Sequence, residues 1–189
     1  MTEDEAKKET IEHINQVRVL LYKIIIELKH RLKNHDESKL SEAELPGFAK
    51  YTEKLKDCTY GSEEYKQNLS EMKPYLDHHY TENRHHPEHF KKYVCNGCFK
   101  EYEEQKPNVC TICGYSQMQE ECDISQMNLV DLIEMICDWT AATKRHADGD
   151  IHMSIELNQE RFGYPDMLKR IFHKTVKFLK APAALRTEQ

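Results

Sequence analysis

Two sets of residues in this chain have the types and spacing to do chemistry. The first is Cys95 and Cys98 followed, after an interval of eleven residues, by Cys110 and Cys113. Each Cys-x-x-Cys pair clamps one face of a tetrahedral ion through thiolates, and the short interval lets both pairs close on the same ion. Gly97 and Gly114 stand where the tight turns behind such pairs need a permissive backbone. Zinc is the default for four thiolates, and a single iron takes the same ligands. Four thiolates fill the coordination sphere, so this site is expected to hold structure rather than to catalyse.

The second set is built from imidazoles and carboxylates. The chain has 11 histidines. His13 lies in a helical stretch where Val17, Leu20, Ile24 and Leu28 follow at helical spacing, which places it on a face that can turn inward. His35 and Asp36 form a doublet at a polar break, followed closely by Lys39. Adjacent helical residues project about 100° apart, so a doublet shares an ion only near a helix end, and the break supplies one. His79 continues the apolar line of Leu69, Met72 and Leu76, whereas His78 falls on a more polar face with Glu71, Tyr75 and Glu82. The run Arg84-His85-His86-Pro87-Glu88-His89 follows at once. Imidazoles at that density are costly to bury without a cation to hold them. Asp138 sits among Met135, Ile136 and Trp139, with Glu134 and Asp131 before it on the same line. A carboxylate in apolar surroundings needs a counter-charge, which a metal supplies. Plainer readings stand beside these: a satisfied core histidine, a solvated histidine loop, an acidic stripe beside the core.

The elements that must position these groups are mostly helices. Ile14, Val17, Leu21, Ile24, Ile25, Leu28 and Leu32 predict one long helix from about residue 2 to 34. Pro46 and Gly47 mark a turn before a shorter Lys-rich segment. Ser62, with Glu63 and Glu64, starts a helix that runs toward Asn83, with a kink expected at Pro74. Helical patterns return over residues 127–145, 153–162 and 165–179. The expected organisation is an all-α core in two parts, residues 1–92 and 119–189, with a small cysteine-bearing insertion at 93–118.

Composition excludes several classes. Lys and Arg number 27 against 33 Asp and Glu, a formal charge of −6, which argues against a nucleic-acid-binding protein. The greasiest stretch, Val19 to Leu28, is interrupted by Lys23 and Glu27 and falls short of a span, so no membrane role is expected. Seven cysteines is an odd number, and their clustering reads as metal-ligand usage in a reducing compartment, hence a cytoplasmic protein.

Residues 93–116 resemble a zinc ribbon, which would serve as a structural element or a protein-binding surface. The order His13, His35-Asp36, His79, His85-His86, Asp138 resembles the HD-domain superfamily of metal-dependent phosphohydrolases. The segment Asn83 to Glu88 also resembles the Asn-x-His-His-Pro-Glu signature of an uncharacterised family of small bacterial and phage proteins. The resemblance implies an HD-like helical bundle. It implies a divalent metal (Mn, Fe, Co, Mg or Zn) held by His13, His35, Asp36 and Asp138, with His79 and His85 or His86 available for a second ion. The interval from His79 to His85 or His86 is shorter than the HD pattern, so either the second ion is absent or its ligands come from one helix end and its loop. Lys39, and Arg84 or Arg161, would neutralise phosphoryl oxygens, and Glu88 or Glu134 would carry a proton or orient a ligand histidine. The substrate implied is a small phosphate ester or nucleotide. Two rival functions fit the same residues: oxygen activation at an HD-type di-iron site, and a non-catalytic binding protein whose ribbon meets a partner.

Overall fold

The computed structural model describes residues 1–58, 62–103, 105–145 and 149–181. The chain divides into two units, Met1–Glu37 and Ser38–Gln189.

The first unit is one helix, α1 (Glu3–Asn34). Thr2 caps it: its hydroxyl accepts from the Glu5 amide at 3.2 Å, and the Glu5 carboxylate accepts from the Thr2 amide at 2.7 Å. Glu3, Asp4 and Glu5 lie in the first turn and Arg31 and Lys33 in the last, which complements the helix dipole at both ends. The helix stops at His35, and Asp36 takes a left-handed φ of 56°, a conformation that Asp tolerates better than most residues. No residue of α1 is buried. The expectation that His13 turns into a core is therefore corrected: the unit has no second element to form one, and His13 is exposed.

The second unit begins with a 3-10 turn that ends at Leu40, then α2 (Leu45–Asp57) and α3 (Glu63–Glu82). Pro46 and Gly47 do not form a separate turn. They sit inside the first turn of α2, where proline's missing N–H has no partner to lose. Gly47 is also a point of close approach between α2 and α3, since a Cβ there would fall 2.2 Å from Cγ of Tyr75. Tyr51 on α2 donates to Glu71 on α3 at 3.0 Å. Ser62 caps α3 as expected, accepting from the Tyr65 amide at 3.1 Å, and the helix continues through Pro74 to Glu82.

A three-stranded antiparallel sheet follows, with β1 (Lys91–Cys95) between β2 (Glu101–Tyr102) and β3 (Met118–Cys122). The β1–β3 register pairs Lys91 with Cys122 and Cys95 with Met118, so the sheet reaches beyond the cysteine loops on both sides. The rest is helical: α4 (Leu129–Thr143), α5 (Ile151–Phe162) and α6 (Asp166–Lys180). These three close the main core around Met135, Ile136, Ile155, Phe172 and Val176, with Trp139 stacked on Phe162. Asn128 and Asp131 form a capping box on α4, and Gly163 ends α5 at φ 66°. Phe90, just before β1, belongs to this core and ties the histidine loop to it.

Six α-helices therefore dominate the described residues, and the only β structure among them is the small sheet. Gly47→Ala is expected to destabilise the second unit by about 1–3 kcal/mol, because the ring of Tyr75 must move to admit the methyl group. Urea unfolding followed by circular dichroism measures it; an unchanged midpoint would mean that α2 and α3 are not held so closely.

Candidate metal centres

In the cysteine centre, Cys95 is the last residue of β1, the loop that follows carries Cys98, and the loop before β3 carries Cys110 and Cys113. Cys95 Sγ lies 3.6 Å from Cys113 Sγ, and Cys98 Sγ 3.4 Å from Cys110 Sγ. All four sulfurs lie within 4.8 Å of one another. Thiolates at tetrahedral corners around zinc, with bonds of about 2.3 Å, stand about 3.8 Å apart. The four sulfurs are thus already gathered to nearly that spacing and can hold a metal such as zinc.

Backbone and side chain both serve the thiolates. Gly97 N–H donates to Cys95 Sγ at 3.3 Å and Ile112 N–H to Cys110 Sγ at 3.4 Å. Gly114 takes the left-handed φ of 72° that the second turn needs. A Cβ on Gly97 would lie 3.3 Å from Cys113 Sγ and 3.1 Å from the Tyr115 side chain, so a larger residue in the first turn would press on both. Tyr102 on β2 accepts from the Thr111 amide at 2.9 Å and donates its hydroxyl to Cys110 Sγ at 3.3 Å. That donation is the largest of the effects that draw the Cys110 thiol down to about 6.

The histidine centre starts from Glu44. This carboxylate is wholly buried at the start of α2. It makes no cap bond to the helix; it serves α3 instead. His79 Nδ1 lies 2.9 Å from Oε2, His78 Nδ1 lies 2.8 Å from Oε1, and Ser38 Oγ donates to Oε2 at 3.1 Å. Asn83 donates its side-chain amide to Ser38 Oγ at 2.7 Å and to the His79 carbonyl at 2.8 Å. The Glu44 carboxylate facing Nδ1 favours the tautomer of His79 that carries its proton on Nδ1. Its Nε2 is then the lone-pair nitrogen, and it faces His86 Nε2 at 2.9 Å.

His85 joins from the same loop. One ring nitrogen from each of His79, His85 and His86 lies within 4.8 Å of the other two. His85 is buried, and its Nδ1 lies 3.3 Å from Glu134 Oε1 on α4. Two imidazole nitrogens at right angles around an ion, with bonds of about 2.1 Å, stand about 3.0 Å apart. The His79–His86 distance matches that spacing, and the Glu44–His79 and Glu134–His85 pairs are of the carboxylate–histidine kind that orients metal ligands.

The other expected site residues divide. Asp138 lies on α4 one turn beyond Glu134. In the first unit, His35 Nε2 lies 3.5 Å from Asp36 Oδ2 at the end of α1, so the doublet does sit at a helix end. His13 does not join that doublet. It precedes His35 by about 22 residues on one unbroken helix, which separates them by about 33 Å. Arg84 is engaged by buried Asp131, with N–O distances of 3.1 and 3.4 Å, and stacks on Phe90. It fixes the histidine loop to α4. Glu88 is bound by Arg161, and burial beside that carboxylate pushes the Tyr80 hydroxyl up to about 12. Lys39 holds its ammonium 5.0 Å from the centre of the Phe48 ring, whose edge in turn meets the His79 ring at 5.6 Å. His89 bonds the Tyr80 carbonyl at 3.1 Å.

Glu44 and Ser38 were not legible as site residues. Glu44 is one of two acids, with Glu42, in a polar stretch without periodicity or motif. Its role depends on α2 and α3 lying side by side.

Residues 2–184 match the model of DUF5662, described as a family of unknown function. No match was found among curated proteins or among solved structures. No helix among the described residues is long and apolar enough to cross a membrane.

A zinc ion at the cysteine centre would compete with protons for the thiolates, so it would be released as pH falls. Tyr102→Phe removes a donor that favours the thiolate, and the midpoint of zinc release is expected to move to higher pH. A chromogenic chelator titration reads this; an unmoved midpoint would mean that the Tyr102 hydroxyl does not tune the site.

Proposed function

We propose that this chain, which belongs to the DUF5662 family, is a metal-dependent hydrolase of a small phosphate ester, with nucleotides as the first class to test. The cysteine centre holds a structural zinc in this reading, and the histidine centre does the chemistry. The observation that carries it is the meeting of His79, His85 and His86 ring nitrogens, two of the rings backed by carboxylates. A histidine set oriented in this way suits Mn, Fe, Co or Zn rather than an all-oxygen Mg site.

The His35-Asp36 doublet is the proposed source of further ligands. Asp138 is the proposed additional carboxylate, as the HD-like order of the sequence implies. His13 is omitted, because α1 carries it too far from the doublet. An HD-like arrangement of the helical core is part of the same proposal.

A divalent ion at this centre would acidify a bound water and polarise a phosphoryl oxygen. The protein's own residues do the remaining work. Glu44 fixes the tautomer of His79, and Glu134 does the same for His85. Arg84, locked to Asp131, holds the loop between them in place. Lys39, one aromatic ring from His79, supplies positive charge for the non-bridging oxygens of an anionic substrate.

The test is release of phosphate or pyrophosphate from a nucleotide panel by protein loaded in turn with Mn²⁺, Co²⁺, Fe²⁺ and Mg²⁺. Metal-dependent turnover is expected, lost by at least about a hundredfold in His86→Ala and His79→Ala. Glu44→Gln is expected to weaken the metal by about 10- to 100-fold while the cysteine-bound zinc stays. Metal-loaded protein that turns over nothing on the panel would contradict the hydrolase reading, and oxygen consumption by the iron-loaded form would replace it with oxidative chemistry.

A further inference from the structure

The first unit poses a problem that the histidine centre does not touch. It is a single helix with no second element of its own, and none of its residues is buried. Its middle is apolar around most of its circumference. Val17, Val19, Leu20, Leu21, Tyr22, Ile24, Ile25 and Ile26 are all exposed, with Leu20 at 59% and Tyr22 at 62%. Helices apolar on all sides are found inside structures, and an exposed patch of this size marks a contact surface. Ile14, Val17, Leu21, Ile24 and Leu28 also follow the three-four spacing of a helix–helix seam.

The charges along α1 identify what covers it. Its N-terminal third holds five acids, Glu3, Asp4, Glu5, Glu9 and Glu12, against Lys7 and Lys8. Near the C-terminal end, Lys29, Arg31 and Lys33 occur with no acid among residues 29–33. One end is negative and the other positive, with the apolar stretch centred close to Leu21. A second copy of the same helix laid antiparallel across that centre sets Leu21 beside Leu21, Ile14 beside Leu28, and Glu9 beside Lys33. Val17 falls beside Ile25 and Ile24 beside the stem of Arg18, so the seam is mostly apolar, and each acidic end meets a basic end. A parallel pair would set acid on acid and base on base, which costs stability.

We propose that α1 is a dimerisation helix that pairs with α1 of a second copy of this chain in antiparallel orientation. This inference is independent of the reading of the histidine centre. A C2 pair of this kind is self-complementary and closes on itself, so it yields a dimer rather than a chain of subunits.

Light scattering coupled to size exclusion, on the full chain at tens of micromolar, tests it. Twice the chain mass is expected for the natural sequence, and the monomer mass for Leu21→Glu, with the second unit's thermal transition retained. Orientation is tested by charge reversal. Glu9→Lys with Glu12→Lys is expected to weaken the dimer about tenfold, equivalent to about 1.4 kcal/mol. Adding Lys29→Glu and Lys33→Glu to that protein should restore it. A monomeric natural sequence, a dimer that survives Leu21→Glu, or reversal without rescue would each overturn the proposal. So would a monomer that sediments with phosphatidylcholine–phosphatidylserine vesicles, which would make the apolar face a lipid contact.

Discussion

The arrangement around the histidines depends on one buried carboxylate. Glu44 has no exposure to solvent, and an ionised carboxylate out of water costs several kcal/mol unless donors surround it. Ser38, His78 and His79 surround it. Its demand for protons decides which nitrogen of His79 carries one, and that decision turns the other nitrogen toward His86. The proposed cation would lie beyond His79, on the Nε2 side that faces His86, with the ring held in place by its contact to Glu44.

The fold builds toward that point from three sides. Gly47 lets α2 approach α3, which brings the start of α2 against the last turns of α3. Asn83 ends α3 and turns its amide back on the same network. Arg84 then reaches Asp131, which also caps α4, so one buried carboxylate starts that helix and anchors the histidine loop. Phe90 sinks into the core of α4, α5 and α6. The loop is short and tied at both ends, as a site that must hold imidazoles at fixed spacing requires. The cysteine sheet grows directly out of it, since β1 begins at Lys91.

Much of this was legible in the residues. The cysteine centre follows from spacing alone, because two Cys-x-x-Cys turns at short separation have few other uses. The helices follow from periodicity, and Ser62 caps α3 where the sequence places it. His79 was marked by continuing an apolar line, and it is buried. The misses are informative. The face that carries His13 looked like a core face because periodicity reports which residues want cover, not what covers them. Pro46-Gly47 looked like a turn, yet both residues suit the first turn of a helix, and only the nearness of Tyr75 reveals why glycine is there. Arg84 and Glu88 looked available for chemistry because their partners, Asp131 and Arg161, lie 47 and 73 residues further along the chain. Glu44 escaped notice for the same reason: a tertiary contact between helices has no local signature.

The central claim is that His79, His85 and His86 hold a cation in addition to the one bound by the cysteines. Elemental analysis of untagged protein, beside its His79→Ala variant, tests it most directly. The account predicts at least two metals per chain in the natural sequence, with zinc among them, and a fall to the single cysteine-bound ion in the variant. One zinc per chain in both proteins, after purification with Mn, Fe, Co and Zn supplied, would contradict it and leave the histidines as a hydrogen-bonded network around Glu44.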